Sequence, residues 1–210
     1  MKIILVRHGE TDYNLERRIQ GHTDIPLNAR GEKQAEEIAE VLHEKEKIDA
    51  VFTSDLMRAS RTAQLIAGNS IPMISLRGLR ERKMGEIEGM LHKDAIHKRK
   101  EDGKPSLLHY GENEVDLCTR LVAAYEEVKR ISKEKGYKTA LVVSHGSALN
   151  NLLESLTRQR IVKFADPEIR TAFFKRPKLG NCSVTIISDD KLVAIAEQWT
   201  ESIVRERDLI

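Results

Sequence analysis

The sequence predicts an α/β fold, a three-layer α/β/α sandwich with helices on both faces of a mostly parallel central sheet. Short apolar runs of strand length alternate with segments in which apolar residues recur every three or four positions, and this alternation is typical of βα units. Near the end of the chain, only residues 188–191 separate two apolar runs, which predicts a closing antiparallel hairpin. A length of 210 residues can bury a substantial core, so we predict a single domain over 1–210.

The first half of the chain supplies two predicted strands and two predicted helices. Residues 3–6 and 50–52 are short apolar runs, which we interpret as buried strands. Asn28 is predicted to cap the first helix. The apolar stripe of that helix consists of Ala35, Ile38, Ala39 and Leu42. Ser54 is predicted to cap the next helix, which Gly68 ends.

The second half continues the alternation. A helical pattern over residues 115–131 is predicted to end at Gly136, and residues 139–143 follow as another buried strand. A further helix begins after that strand. Its apolar face includes Leu152, Leu153 and Leu156. Residues 183–187 and 192–196 are the predicted strands of the hairpin.

Two charged segments do not fit the alternation. Residues 91–110 are crowded with Lys and His, and residues 157–180 are rich in Arg and Lys. We predict that each is an insertion over the edge of the sheet where the strands end. A solvated surface helix or loop is the alternative for each segment.

Composition indicates a globular protein of the cytoplasm. Lys plus Arg total 35 against 33 for Asp plus Glu, so there is no general charge excess to attract nucleic acid. No apolar stretch reaches membrane length, no signal peptide is expected, and no membrane partner is predicted. Cys118 lies in a helical pattern and Cys182 in a strand pattern. We predict that both are buried thiols in a reducing compartment.

The first predicted strand ends in a motif that can carry chemistry, Arg7-His8-Gly9-Glu10-Thr11. In open α/β sheets, ligands bind at the carboxyl ends of the strands. Arg7 is a permanent cation whose planar fork suits phosphate oxygens, and His8 can act as nucleophile, base or ligand near neutral pH. The alternative is that Arg7 and His8 are only a basic pair on the surface, at the end of a capped strand.

Two further segments bring similar residues to the same edge. Ser144-His145-Gly146 follows the strand at 139–143 and opens a helix, and helix N-termini favour anions. Arg58 falls in the early turns of the helix that follows residues 50–52. Three such coincidences favour an anion-binding site over three unrelated surface features.

These residues carry a family resemblance. The chain resembles the histidine phosphatase superfamily, in its phosphoglycerate-mutase-like branch. The matching positions follow the family's order along nearly the whole chain: Arg7-His8-Gly9-Glu10-Thr11, Asn14, Gln20-Gly21, Asp24, Pro26-Leu27, Gly31, Gln34-Ala35, Ser54-Asp55-Leu56, Arg58-Ala59, Thr62-Ala63, Leu79-Arg80-Glu81, Gly85, Glu88-Gly89, Gly111-Glu112, Arg120, Ser144-His145-Gly146 and Asn181-Cys182-Ser183.

The resemblance implies a phosphohistidine mechanism. His8 matches the nucleophile, and Glu81 matches the general acid, which needs burial and the substrate's charge to hold a proton near neutral pH. Arg7, Arg58 and His145 match the phosphate pocket. The resemblance further implies that the substrate contacts Asn14, Gln20, Gly21, Arg82 and Gly146.

Other chemistries find little support in the sequence. There is no Walker A pattern and no dinucleotide glycine fingerprint after a strand. Neither cysteine has an arginine at the spacing of a thiolate phosphatase loop. The histidines outside the two motifs, His22 among them, are not spaced as metal ligands, and we interpret them as surface residues. No metal ion and no cofactor are predicted.

The predicted function is hydrolysis of a small phosphorylated metabolite, with the oligomeric state left open. The mutases that the chain resembles carry a longer insertion with paired arginines after Gly89, and here Gly111-Glu112 follows quickly. Met84 replaces their usual tyrosine, although Arg82 matches them. Phosphoglycerate mutase remains the alternative, followed by an inactive phosphate-binding module.

The charged segment at 91–110 leads to a prediction about substrate charge. Cations near a phosphate pocket raise the local concentration of anionic ligands. Those of this segment are Lys93, His97, Lys98, Arg99 and Lys100. We therefore expect a preference for substrates with a second anionic group. If these side chains point away from the pocket, selectivity is expected to lie in residues 157–180.

Overall fold

The computed structural model describes residues 1–175 and 179–195. The strands of that part are β1 (Lys2–Arg7), β2 (Ala50–Thr53), β3 (Met73–Ser75), β4 (Thr139–Ser144), β5 (Lys163–Phe164), β6 (Val184–Ser188) and β7 (Lys191–Ile195). The α-helices are α1 (Asp12–Leu15), α2 (Ala29–Lys45), α3 (Met57–Ala67), α4 (His92–Glu101), α5 (Glu114–Lys135), α6 (Gly146–Arg158) and α7 (Pro167–Phe174).

The strands form one mixed sheet in the order β3-β2-β4-β1-β6-β7-β5. Neighbours among β3, β2, β4 and β1 are parallel, whereas β6 is antiparallel to both β1 and β7. Parallel pairing brings the carboxyl ends of β1, β2 and β4 to one edge, where Arg7 lies opposite Ser144. The predicted mostly parallel sheet with an antiparallel hairpin is confirmed.

Alternate residues of each central strand face opposite sides of the sheet. Ile3 and Leu5 pack into a core beneath α5 and α6, and Ile4 and Val6 pack into a second core beneath α2 and α3. All four of these β1 side chains are buried. Because a strand buried on both faces needs apolar side chains at every position, the continuous run at 3–6 is explained, and helices on both faces are confirmed.

The closing hairpin is tighter than predicted. Its turn is the pair Asp189-Asp190, because Ser188 already pairs with Lys191. Both turn residues have positive φ, 47° and 57°, as a two-residue hairpin turn whose twist matches its strands requires. The first hairpin strand begins at Val184, one residue later than predicted, and Ala196 of the second lies outside the described residues.

The two cysteines differ in their surroundings. Cys182 is not in a strand as predicted but just before β6, with a positive φ of 55°. It is buried, and this burial raises the pKa of its thiol to about 12. Cys118 lies in α5 as predicted but is only partly buried.

The predicted cap of α3 is wrong. The helix begins at Met57, and Ser54 does not cap it; instead the Met57 backbone N–H donates to Asp24 Oδ1 at 2.7 Å. The Ser54 hydroxyl oxygen accepts from the Leu56 N–H and also bonds to His145 across the edge of the sheet. These two contacts replace the capping bond that the sequence predicted for it. The Asn28 cap of α2 and the left-handed Gly136 at the end of α5 are confirmed.

The shortest elements were not predicted. β3, β5 and α1 have three, two and four residues, too few for a periodic pattern to show. The segment 91–110 contains α4 and a 3₁₀ turn, Leu107–His109, and the segment 157–180 contains β5 and α7. Among the described residues, no helix is long and apolar enough to cross a membrane.

Candidate active site

Two histidines meet where β1 and β4 end. His8 follows the last residue of β1, His145 follows the last residue of β4, and their ring centroids are 5.2 Å apart. Both rings are buried, with exposed fractions of 3% and 0%. The parallel pairing of the two strands therefore brings together residues that are far apart in sequence.

The ring of His8 is held in one tautomer. Its Nδ1 lies 2.7 Å from the Gly9 carbonyl oxygen, and because a carbonyl only accepts, Nδ1 carries the hydrogen. Burial, followed by the charges of Arg58 and Arg7, holds the pKa of His8 well below its usual range. His8 is thus a neutral imidazole at neutral pH, with the lone pair of Nε2 left for reaction.

The ring of His145 is engaged on both sides. Its Nδ1 accepts from Arg58 Nε at 3.2 Å, so Nε2 carries the hydrogen and donates it to Ser54 Oγ at 2.9 Å. Burial and the charge of Arg58 hold its pKa well below the usual range. In this arrangement His145 orients the Arg58 guanidinium, and it offers no unengaged ring N–H to a phosphate.

Arg58 is a fully buried cation on the first turn of α3. Its Nη1 donates to the Thr23 carbonyl and its Nη2 to the Gly21 carbonyl, each at 2.8 Å. Burial lowers its pKa to about 10, so it stays charged at neutral pH. No carboxylate among the described residues forms an ion pair with it, and a buried charge without a counter-ion is costly. The site therefore favours an anion beside Arg58.

Arg7 is a second cation in the same place, and it is partly buried. Its Nη1 donates to the Leu179 carbonyl at 2.6 Å, while Nε is buried without a partner in the described part of the chain. Burial lowers its pKa from the ordinary value. A Cβ on Gly146 would lie 3.2 Å from Arg7 Nε, so glycine at this position lets α6 begin close against the guanidinium.

Neutral groups surround these cations. Asn14 Oδ1 accepts from the Thr11 N–H at 3.2 Å and from Asn181 Nδ2 at 3.3 Å, and no hydrogen bond among the described residues engages the Asn14 NH₂ group. Gln20 Oε1 is buried without a partner among the described residues. Gly21, predicted as a substrate contact, uses its carbonyl to hold Arg58.

Glu81 lies against the N-terminus of α6. Its Oε1 accepts from the Ala148 N–H and Oε2 from the Ser147 N–H, at 2.8 and 3.0 Å. The Arg82 N–H also donates to Oε1, at 2.8 Å. The carboxyl group therefore shares the start of α6 with Gly146, beside Arg7.

An arginine clamp holds the loop that carries Glu81. Arg120 donates to the carbonyls of Gly78, Arg80 and Glu81 at 2.8 to 3.0 Å. It also forms a two-point ion pair with Glu112, at 2.6 and 2.7 Å. Glu112 and Arg120 were among the positions that match the family, but the resemblance gave them no role. In the structure they hold this loop in position.

His22 was missed by the sequence reasoning, which interpreted it as a surface residue. Its Nε2 lies 2.8 Å from the Glu81 carbonyl oxygen, to which it must donate. Burial lowers its pKa. The one signal for it in the sequence was its place directly after Gln20-Gly21, in the loop that the resemblance assigns to the site.

A cavity of about 760 Å³ lies next to this cluster. The site residues in its wall are Arg7, Glu81, Arg82, Gly146 and Ser147. Arg82 has an exposed fraction of only 2%, and its buried Nε has no partner in the described residues. The cavity therefore reaches the predicted general acid Glu81 and adjoins the predicted phosphate pocket at Arg7 and Gly146, whereas His8 and Arg58 are not among its described lining residues.

The cations of the segment 91–110 do not line this cavity. Lys98 pairs with Asp102 at 3.0 Å and Glu86 at 3.6 Å, and Arg99 Nη1 donates to the Pro105 carbonyl at 2.7 Å. Of that segment, the described wall includes only Leu108. The predicted placement of these cations beside the pocket is therefore wrong: none of them is in the described wall, and neighbouring acidic or carbonyl groups engage His97, Lys98 and Arg99. No group of three or more potential metal ligands occurs among the described residues.

Comparisons with known proteins agree with this geometry. The family model of the histidine phosphatase superfamily (branch 1) matches residues 3–200. Over 180 residues the chain is 34% identical to a Bacillus subtilis protein named uncharacterized phosphatase PhoE, covering 85% of this chain and 86% of that protein. It is 33% identical over 208 residues to an Escherichia coli protein named probable phosphoglycerate mutase GpmB, covering 95% and 90%.

A solved structure is also similar. The phosphoserine phosphatase of Entamoeba histolytica, in complex with 3-phosphoglyceric acid, is 26% identical to the chain and superimposes with a TM-score of 0.70. The match covers 94% of this chain and 98% of that one. Motif order, sheet topology and these matches together place the chain in the histidine phosphatase superfamily, to which it belongs.

Proposed function

We propose that this protein hydrolyses the phosphomonoester of a small metabolite through a phosphohistidine on His8. The observation that carries the proposal is the Nε2 of His8, which has no partner among the described residues. It lies near two arginines, the buried Arg58 and the partly buried Arg7, and no carboxylate among the described residues pairs with either. A neutral imidazole next to unneutralised cations suits attack on a phosphoryl group. A binding module would not need a nucleophile held in one tautomer.

In the first step, His8 Nε2 attacks phosphorus while the bond from phosphorus to the ester oxygen breaks. Arg7, Arg58, the Gly146 N–H and the Asn14 NH₂ group neutralise or bind the non-bridging oxygens as negative charge spreads over them. His145 keeps Arg58 in place. Glu81 gives a proton to the departing alkoxide.

In the second step, Glu81 accepts a proton from water as that water attacks the phosphohistidine. The bond between phosphorus and Nε2 breaks, inorganic phosphate leaves, and His8 returns to its neutral tautomer. One carboxyl group can serve both steps because it ends the first step ionised. In both steps, Arg120 and His22 hold the Glu81 backbone in place by donating hydrogen bonds to its carbonyl oxygen.

Phosphoglycerate mutase is the second candidate, favoured by the similarity to the Escherichia coli protein of that name. A mutase must retain its intermediate by binding the substrate carboxylate, for which the described wall offers only Arg82 besides the Arg7 of the phosphate pocket. Incubation with 3-phosphoglycerate distinguishes the two. Inorganic phosphate is expected, and net formation of 2-phosphoglycerate without it would favour the mutase.

Hydrolysis is expected to be independent of metal ions. The protein should cleave p-nitrophenyl phosphate at an unchanged rate in EDTA, because arginines supply the charge that metal ions supply in other phosphatases. Vanadate is expected to inhibit by binding between His8 and the arginines. Loss of activity in EDTA that a divalent ion restores would contradict the proposal.

Replacing Arg58 with alanine is expected to lower kcat/KM by about 10²–10³-fold, the usual effect of removing a group that stabilises transition-state charge. Arg61→Ala is the matched control, since Arg61 lies one turn further along α3, is 47% exposed and pairs with Glu32. It should keep wild-type activity. Equal activity of the two variants would remove Arg58 from the mechanism.

A further inference from the structure

Thr62 joins the helix that carries Arg58 to the strand end that carries His8. It lies on α3, one turn after Arg58, and is 0% exposed. Its hydroxyl donates to the Arg58 carbonyl at 2.7 Å and accepts from the Gly9 N–H at 3.0 Å. Because a hydroxyl group has one hydrogen, which the Arg58 carbonyl takes, its oxygen is fixed as the acceptor for Gly9. Thr62 therefore sets the position of the peptide group between His8 and Gly9.

Gln34 holds the next peptide group, between Gly9 and Glu10. The side chain extends from α2, and its Oε1 accepts from the Glu10 N–H at 2.9 Å. The N–H and C=O of a trans peptide group point in opposite directions, so this bond aims the Gly9 carbonyl away from Gln34. That carbonyl oxygen is the atom that lies 2.7 Å from His8 Nδ1. Gln34 thus acts on the bond that fixes the tautomer of His8.

The backbone at Gly9 is closely packed as well as hydrogen-bonded. A Cβ on Gly9 would lie 2.4 Å from the Gly31 carbonyl oxygen, so this backbone is in direct contact with the start of α2. The bond from its N–H to Thr62 is buried, and a buried N–H that loses its acceptor costs free energy. Removal of the Thr62 hydroxyl is therefore expected to displace the peptide group, and the His8 ring with it.

We propose that Thr62 and Gln34 are positioning residues for the nucleophile His8. They act through the two peptide groups that follow the ring, and not on the substrate. Attack on phosphorus needs the reacting atoms about 3–3.5 Å apart and aligned, and a displacement of about 1 Å can cost about 10²-fold in rate. The proposal rests on the proposed phosphatase function and adds two residues to its mechanism.

The rate of phosphoryl transfer tests Thr62. With the protein in excess, the single-turnover release of nitrophenol from p-nitrophenyl phosphate would be measured. Thr62→Val keeps the branched shape without the hydroxyl and should slow release by about 10–10²-fold, whereas Thr62→Ser keeps the hydroxyl and should stay within about threefold of wild type. Thr157→Val is the control, since Thr157 makes the same kind of bond on α6, to the Leu153 carbonyl, and should be unchanged. Equal rates for Thr62→Val and wild type would overturn the role of Thr62.

Phosphate binding separates positioning of His8 from a wider structural effect. Arg7 and Arg58 keep their charges in every variant, so the Kd of inorganic phosphate, measured by titration calorimetry, should equal that of wild type. A Kd for Thr62→Val that rises as much as the transfer rate falls would mean that Thr62 acts by holding Arg58. That result would also contradict the proposal.

The tautomer of His8 tests Gln34 without turnover. Gln34→Met removes the acceptor, and because Gln34 is only partly buried, folding should survive. NMR spectra of ¹⁵N-labelled histidine, with His8→Ala identifying the signals, should show the Nδ1–H tautomer in wild type and a larger share of the Nε2–H tautomer in Gln34→Met. Gln64→Met, at an exposed glutamine of α3, should match wild type. An unchanged tautomer in Gln34→Met would overturn the role of Gln34.

The two measurements together distinguish this proposal from the phosphatase function. If Gln34→Met shifts the tautomer but the wild-type protein cleaves no p-nitrophenyl phosphate, the function is wrong and the positioning of His8 remains. If the wild-type protein cleaves it, and Thr62→Val and Gln34→Met match wild type in rate and tautomer, the function remains and the positioning role is wrong. Both are supported when the tautomer shifts and transfer slows.

Discussion

Replacing His8 with alanine is expected to abolish turnover, with a loss of at least about 10⁴-fold in kcat, as removal of a nucleophile does in enzymes that form covalent intermediates. The structure gives the physical reason: His8 presents the reactive Nε2 at the end of β1, while both nitrogens of His145 are engaged. His145 therefore cannot replace it. Steady-state kinetics with p-nitrophenyl phosphate would measure the loss.

The His8→Ala variant should still fold, because the β1 core lies at residues 3–6, and the ring of His8 adds a hydrogen bond to the adjacent Gly9 and a contact with the His145 ring. Circular dichroism and a thermal melt would check this. His43→Ala, which alters an exposed histidine of α2, is the control and should be fully active. A folded His8→Ala protein with more than a few per cent of wild-type activity would be incompatible with the mechanism.

Replacing Glu81 with glutamine is expected to slow hydrolysis of alkyl phosphates by about 10²–10⁴-fold, the usual contribution of a positioned proton donor. Glutamine retains the size of the side chain and one acceptor for the N–H groups of α6, so binding should change little. Aryl phosphates with good leaving groups need less protonation, so their phosphoryl transfer to His8 should slow less. Hydrolysis of the phosphohistidine, which needs the base, should become rate-limiting for them.

Burst kinetics separates these steps. With p-nitrophenyl phosphate, the Glu81→Gln variant should release about one equivalent of nitrophenol rapidly and then turn over slowly. Glu86→Gln, at a carboxylate that pairs with Lys98 and Lys104 on the surface, should behave as wild type. Equal losses for alkyl and aryl esters without a burst would show that Glu81 acts only as a structural contact of α6.

The outline of the fold could be predicted because its strongest signals are local. The runs at 3–6 and 139–143 are apolar throughout, as strands buried on both faces must be. Because parallel strands end at one edge, the residues after them, His8 and His145, were predicted at the same edge of the sheet; the structure shows that their strands are also neighbours. β3 and β5 carried no comparable signal, since strands of three and two residues show no period.

The contacts within the site were harder to predict because they join residues far apart in sequence. Ser54 has the local pattern of a helix cap, and the contact with His145, 91 positions away, decides its actual role. His22 has no local motif, and its bond to Glu81 spans 59 positions. Lys98 shows the opposite case, since its ion pair with Asp102 at i+4 was visible in the sequence and would have argued against a free cation.

The central claim is that the phosphoryl group passes through His8, and trapping it there is the most direct test. Glu81→Gln protein would be mixed with p-nitrophenyl phosphate, quenched in base within milliseconds, digested and analysed by mass spectrometry. The account predicts one phosphoryl group on the peptide containing His8, stable in base and lost in acid. A phosphoryl group on another residue, or a burst of nitrophenol with no phosphorylated peptide, would contradict it.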